Sequence, residues 1–260
     1  MEDNNCFIIR NLSFSYGEKE VLHELSLNIP KGKIVTLMGA NGCGKSTLFQ
    51  LLTKNLKTKS GDIWFEKKNI EQMSLRDFSK KVAIVHQNNS APGDLTVEQL
   101  VSYGRIPFTK KGRSISKERD LKMIERALKI TGTAGLRDKS IQALSGGQRQ
   151  RVWIAMAIAQ GTKTLLLDEP TTYLDVRYQL QILKLVKLLN QKLGISIIMV
   201  LHDINQALYY SDEIIALSTR GTMVTQGKPN DVITSDTIKK IYGIHLETMN
   251  YNGRNMVLTV

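Results

Sequence analysis

The succession of apolar runs predicts an α/β protein built on a parallel sheet and interrupted by an inserted α-helical subdomain. Three observations carry this expectation. Buried-type strand runs at 165–167 and 195–200 enclose an amphipathic helical stretch, and strands alternating with helices are the mark of parallel α/β folds. Shorter strand signals lie near the N-terminus. From 88 to 160 the strand signals stop and the chain reads as helices and polar loops.

Taken in order, 7–10 and 21–29 read as strands, with Phe14-Ser15-Tyr16-Gly17 between them as a turn carrying an aromatic. Residues 33–38 read as a buried strand, and 48–52 open a helix. Strand signals recur at 62–65 and 82–85. Residues 96–103 are helical in pattern. Lys110-Lys111-Gly112-Arg113 is a basic, solvated loop. The next helix covers 116–130, with Leu121, Ile124 and Leu128 at core-facing spacing. Over 178–193, Ile182, Leu185, Val186, Leu189 and Leu193 share one face of a helix. A strand follows at 214–217, and Asn252-Gly253 favours a two-residue hairpin near the C-terminus.

The stretch that carries chemistry first is Gly39-Ala40-Asn41-Gly42-Cys43-Gly44-Lys45-Ser46-Thr47. It fits G-x-x-x-x-G-K-[ST] and stands between a strand and a helix, as a phosphate-binding loop must. Its glycines let backbone N–H groups turn toward phosphate oxygens, and the helix N-terminus adds partial positive charge. Lys45 is placed to meet the β- and γ-phosphates and the Ser46 hydroxyl to ligate Mg²⁺. Leu165-Leu166-Leu167-Asp168-Glu169 is an apolar strand ending in two carboxylates, the Walker B pattern. Asp168 would hold Mg²⁺ and Glu169 would polarise the attacking water. Leu144-Ser145-Gly146-Gly147-Gln148 precedes the apolar run 152–159, so it forms a second helix N-terminus fit for an anion. One ATP needs one cradle; two cradles point to ATP held between two chains.

Composition narrows the partners. The 260 residues carry a net charge of +12, which suits nucleic acid, the anionic inner leaflet of a membrane, or simple solvation of a lysine-rich surface. No aromatic-basic RNA motif or zinc-finger spacing supports nucleic acid. The longest apolar run, 152–159, is far short of the ~20 residues of a membrane helix. The polar start, Met1-Glu2-Asp3-Asn4-Asn5, does not read as a signal peptide. The two cysteines, Cys6 and Cys43, form no disulfide framework and fit a reducing cytoplasm.

With these motifs in this order the chain resembles the ATP-binding-cassette (ABC) family, whose signature is LSGGQ. The resemblance covers essentially the whole sequence. It implies a P-loop NTPase (RecA-like) α/β core with an N-terminal antiparallel β-subdomain at 1–87 and 161–260, with the inserted helical subdomain and its signature at 88–160. It also implies that Tyr16 stacks on adenine and that Gln87 senses Mg²⁺ and the γ-phosphate. Asp175 meets the opposite subunit, and His202 touches the γ-phosphate. ATP and Mg²⁺ are the implied cofactors. The implied partners are a second copy of the chain, separate membrane permease subunits at the cytoplasmic face of the membrane and, indirectly, a substrate-binding protein. Tyr173 stands where the family often has a small residue, with a local packing effect as the expected consequence.

Leu95-Thr96-Val97-Glu98-Gln99-Leu100-Val101-Ser102-Tyr103-Gly104-Arg105-Ile106-Pro107 resembles the permease-docking segment of iron–siderophore, haem and cobalamin importers. Ferric siderophore uptake is the reading this favours. Haem, cobalamin, manganese or zinc import, and a non-transport ABC ATPase, are the alternatives. Finally, Cys43 sits at a helix N-terminus beside Lys45, a setting that can lower a thiol pKa. The other reading is a small residue that merely fits the loop.

Overall fold

A computed structural model describes residues 4–109 and 118–258. The basic loop at 110–113 and the first residues of the helix expected over 116–130 lie outside the described residues. Contacts divide the chain into two compact units, Met1–Ser74 with Ser196–Val260, and Leu75–Ile195.

The first unit holds an antiparallel sheet in the order Lys19–Pro30, Asn5–Tyr16, Ser60–Phe65, Lys68–Asn69. Phe7, Ile9, Leu12 and Phe14 are buried on one strand, and Leu22, Leu25, Leu27 and Ile29 on its neighbour. The pairing register shifts between Ile9 and Leu12, where Asn11 takes φ 46° and Glu24, next to Leu12's partner Leu25, takes φ 41°. The irregularity is closed by Ser26 Oγ accepting the Asn11 N–H (2.9 Å) and Ser13 Oγ accepting the Glu24 N–H (2.9 Å). It re-phases the strand so that Leu12 and Phe14 still face inward. The aromatic turn expected at 14–17 is therefore corrected: Phe14 and Tyr16 are paired strand residues, opposite Leu22 and Lys19.

In the same unit the fully buried strand Ile34–Gly39 lies between two parallel neighbours, Ser196–Val200 and Glu213–Leu217. Met223–Gly227 adds antiparallel to Glu213–Leu217. Burial on both faces explains why these strands read as unbroken apolar runs. Helices Ile204–Tyr210, Pro229–Val232 and Ser235–Tyr242 follow, with Ile238 and Ile241 of the last one buried. The hairpin Thr248–Tyr251 and Arg254–Val257 turns on Asn252 (φ 51°) and Gly253 (φ 76°). Both are left-handed, as the Asn-Gly pair predicts.

The second unit pairs Val82–Val85 in parallel with Thr164–Leu167 and is otherwise helical. Thr96 opens helix Val97–Ser102 with a capping box in which its hydroxyl and the Gln99 side chain satisfy each other's backbone N–H. Helix Val176–Leu193 buries Ile182, Leu185, Val186 and Leu189 as expected, and Leu193 is half-buried. Helix Glu118–Ile130 departs from expectation. Ile124 and Leu128 are buried, but Leu121 is 53 % exposed, and the stripe is completed by Asp120 and Ala127. Arg105 is the reason. Its buried guanidinium donates from Nε to Asp120 Oδ1 (2.8 Å) and from Nη1 to the carbonyls of Ala159 (2.9 Å) and Gln160 (2.8 Å). That ion pair draws Asp120 inward and rotates Leu121 to the rim.

Removing one partner of a buried pair leaves the other charge uncompensated. Asp120→Ala is therefore expected to cost about 3 kcal/mol of stability, read as a lowered midpoint in urea unfolding. Leu121→Ala should change it by under about 0.5 kcal/mol.

Candidate functional site

The first unit carries Tyr16, the glycine-rich loop and His202. Strand Ile34–Gly39 delivers the chain to the loop, and helix Lys45–Leu52 leaves it, pinned by fully buried Leu48, Phe49, Leu51 and Leu52. Gly44 caps that helix at φ 99°, and a side-chain carbon built there would lie 2.6 Å from Leu22 Cδ2. Only glycine can occupy this position. Lys45 is 5 % exposed, and its ammonium donates to the carbonyls of Gly39 (2.8 Å) and Ala40 (2.9 Å). A cation so placed, at the head of a helix whose first N–H groups point into the loop, forms a receptacle for a polyphosphate. Asn41, Gly42 and Ser46 are exposed, whereas Cys43 and Thr47 are buried. Tyr16 is half-exposed and stands edge-on to Phe14, with ring centroids 5.0 Å apart. His202 is exposed, and the next residue, Asp203, caps helix Ile204–Tyr210 by accepting the Gln206 N–H at 2.8 Å.

The thiol of Cys43 is fully buried, 3.9 Å from Lys45 Nζ. Burial pushes its pKa up, against a smaller opposing pull from the Lys45 charge. Of the two readings of this residue, burial disfavours the activated thiol: desolvation outweighs the helix and the lysine. Cys43 is the small residue that fits the loop.

Tyr242 was not legible as part of this region. It ends the distant helix Ser235–Tyr242, yet its buried hydroxyl lies under the influence of the Gly39 amide, Cys43 and Asp203, and its pKa is pushed up to about 12 by burial. No local motif signals a tyrosine that folding brings from two hundred residues away.

The second unit carries Gln87, the signature, the two carboxylates and Asp175. Strand Thr164–Leu167 is fully buried, and the Asp168 N–H continues its ladder to the Val85 carbonyl (2.9 Å). Glu169 follows in a left-handed turn (φ 45°). Gln87 Nε2 donates to Glu169 Oε2 at 2.6 Å, and the Thr172 hydroxyl donates to the same oxygen at 2.9 Å. These two donors fix the carboxylate's direction. Thr172 was not among the expected site residues; only its place three residues after Glu169 hinted at it.

Ser145 caps helix Gly146–Ala159. Its hydroxyl accepts the Gln148 N–H (3.4 Å), and Gln148 Oε1 accepts the Ser145 N–H (3.1 Å). Gly146 is exposed, and Gly147 packs so closely on Tyr178 that a side-chain carbon there would sit 2.4 Å from the ring. Asp175 caps helix Val176–Leu193 through the Tyr178 N–H at 3.0 Å. Tyr173 is 88 % exposed at φ 62°. The expected packing effect is thus corrected to a backbone one: a bulky residue in left-handed conformation costs about 1 kcal/mol, where glycine would cost nothing.

A phosphate loop, a strand ending in two carboxylates and a serine–glycine-capped signature helix together define an ABC-type ATPase. The ABC transporter family pattern matches residues 22–172, and the chain belongs to that family. It is 45 % identical to the iron(3+)-hydroxamate import ATP-binding protein FhuC of Bacillus subtilis, over 94 % of this chain and 90 % of that one. It is 40 % identical to the ferric enterobactin transport ATP-binding protein FepC of Escherichia coli, over 90 % and 85 %. Among solved structures, cbiO1 of Clostridium perfringens, part of the transporter complex cbiONQ, matches with a TM-score of 0.79 at 32 % identity, over 90 % of this chain and 93 % of that one. An ABC transporter in an inward-facing conformation matches with a TM-score of 0.84 at 27 % identity, over 98 % of each chain. The α/β fold with its antiparallel N-terminal sheet and helical insert is therefore that of a P-loop NTPase, and the chain is an ATP-binding ATPase subunit. Among the described residues no helix is long and apolar enough to cross a membrane.

Two outcomes are expected. Alkylation of Cys43 in the native chain should be slow and should keep rising with pH past about 10, where an ordinary thiol of pKa about 8.5 has levelled off. A plateau near neutrality in timed mass spectrometry would contradict the burial argument. Thr172→Val removes one donor to Glu169 Oε2 and should lower steady-state ATP hydrolysis about three- to tenfold, the equivalent of one net hydrogen bond, with ATP affinity unchanged.

Proposed function

We propose that this chain energises uptake of ferric siderophores, as the ATP-hydrolysing subunit of an importer whose permease is a separate polypeptide. The observation that carries the mechanism is the 2.6 Å bond from Gln87 to Glu169. It ties the carboxylate in position to orient water to the segment that leads, through 88–94, into the stretch assigned to permease docking at 95–107. The cargo is supported by the two relatives whose names specify iron(3+)-hydroxamate and ferric enterobactin, at 45 % and 40 % identity over nine-tenths or more of this chain.

In this reading the Lys45 ammonium exchanges the Gly39 and Ala40 carbonyls for β- and γ-phosphate oxygens. Tyr16 offers a face to adenine. The backbone N–H groups of Gly42, Cys43, Gly44 and Thr47 line the cradle begun by Gly39 and Asn41. A hard cation takes oxygen ligands, and Ser46, Asp168 and Gln87 supply a hydroxyl, a carboxylate and an amide oxygen suited to Mg²⁺. Because Gln87 Nε2 donates to Glu169, its Oε1 is the atom left for that role. Bound Mg²⁺ would neutralise charge on the phosphates. Glu169 directs water toward the γ-phosphate, and His202 lends a further contact there. Ser145, Gly146, Gly147, Gln148 and Asp175 face the nucleotide of a second copy of the chain, so the working unit is a dimer at the cytoplasmic face of the membrane. A substrate-binding protein delivers the cargo to the permease, with residues 88–160 as the inserted helical subdomain that couples to it.

The test is uptake of radiolabelled ferric hydroxamate in cells lacking this chain, complemented with the wild type or with Glu169→Gln. Wild type should restore uptake. Glu169→Gln should not, should lower ATP hydrolysis about 10²–10⁴-fold, and should accumulate as an ATP-bound dimer in size-exclusion chromatography. Normal uptake in the uncomplemented cells would overturn the cargo assignment, and normal hydrolysis by Glu169→Gln would overturn the role of Glu169.

A further inference from the structure

Away from the residues assigned to ATP, the second unit contains a cleft of about 550 Å³ on the far side of the Gly147–Tyr178 contact. Its walls are the C-terminal turn of helix Glu118–Ile130, one residue of the signature helix, and the exposed face of helix Val176–Leu193. Among the described residues four cations line it, Lys129, Arg151, Arg177 and Lys184, and no carboxylate does. Lys129 is committed to Glu125 at 3.1 Å. The other three have no hydrogen bond or ion pair among the described residues. Arg151 is the telling one, because its Nε is fully buried without an acceptor. A buried guanidinium N–H is costly to leave unmatched; the half-buried Arg151 leaves one so, whereas the deeply buried Arg105 is paired three times over.

The rest of the lining says what kind of anion fits. Tyr178, buried Leu185 and the more exposed Leu188 supply the apolar part of the lining. At the adjoining helix end the carbonyls of Ala127, Leu128 and Lys129 accept from the amides of Thr131, Thr133 and Gly132, and the partial negative charge of that end is what the cations have to outweigh. The volume lies within the range of small-molecule sites. Arginine forks with a lysine beside them match phosphate oxygens.

We propose that this cleft binds an organic phosphate, with its phosphate on Arg151, Arg177 and Lys184 and its organic part against Tyr178. The site is separate from the glycine-rich loop and does not depend on the siderophore assignment. An occupant would touch Tyr178, whose ring packs on Gly147, and so would bear on the signature turn.

The full-length chain carrying Lys45→Ala, which weakens phosphate binding at the loop, supplies the test. Equilibrium dialysis against radiolabelled pyrophosphate measures a soluble ligand. Flotation with phosphatidylcholine vesicles, with and without phosphatidic acid, measures a lipid headgroup. The Lys45→Ala chain should bind at least one probe, and adding Arg177→Glu with Lys184→Glu, both exposed, should weaken that binding at least about tenfold. Arg151→Gln should weaken it similarly. The milder pair Arg177→Gln and Lys184→Gln serves if the charge reversals disturb the unfolding curve. Pyrophosphate retention names a soluble phosphate, and retention only on phosphatidic acid vesicles names a lipid. Failure to bind either probe overturns the proposal. So does equal binding by the charge-altered chains, which would reduce the effect to the net charge of the surface.

Discussion

A lysine ammonium with 5 % of its surface exposed has to be given oxygen atoms by the protein, because water cannot reach it in quantity. Lys45 finds them in the carbonyls of Gly39 and Ala40, its own loop. The first unit is arranged around that closure. The loop bends back on itself only because Gly44 adopts φ 99° against Leu22. Helix Lys45–Leu52 holds its direction because Leu48, Phe49, Leu51 and Leu52 are fully buried. Strand Ile34–Gly39 is held from both sides by parallel neighbours. The ammonium is thus placed by packing and held by two carbonyls of its own loop.

The second unit solves a different problem, that of aiming a carboxylate. Glu169 leaves a buried strand in a left-handed turn, a conformation with an energetic cost for a non-glycine residue. Gln87 and Thr172 both donate to one of its oxygens and hold it there. The neighbouring helices are set by side chains doing similar work: Arg105 joins Asp120 to the end of the signature helix, and Asp175 and Ser145 cap the two helices that meet at Gly147 and Tyr178.

Much of this was legible because it is local in the chain. A phosphate loop, a strand ending in Asp168 and Glu169, a Ser-Gly-Gly-Gln helix start and an Asn-Gly turn each need only a few consecutive residues. What was misread depends on partners far away in sequence. Leu121 has ideal spacing for the core, yet Arg105 pulls Asp120 inward and displaces it. Phe14 and Tyr16 look like a turn until the irregularity at Asn11 extends the strand. Cys43 has the neighbours of a reactive thiol, and its burial, which raises the thiol pKa, is what chooses between its two readings.

By itself, the sequence determined the class of fold and the ATPase family, since those follow from residue types at fixed short spacings. It also carried the resemblance on which the cargo assignment began. The tertiary structure alone decided that Gln87 and Thr172 share one oxygen of Glu169. It also decided that Tyr242 returns to the phosphate loop, and that Arg151, Arg177 and Lys184 converge without a counter-ion among the described residues. The physical reason is common to all three. Desolvation and pairing depend on which side chains meet in space, and sequence spacing does not encode distances between elements that only packing brings together.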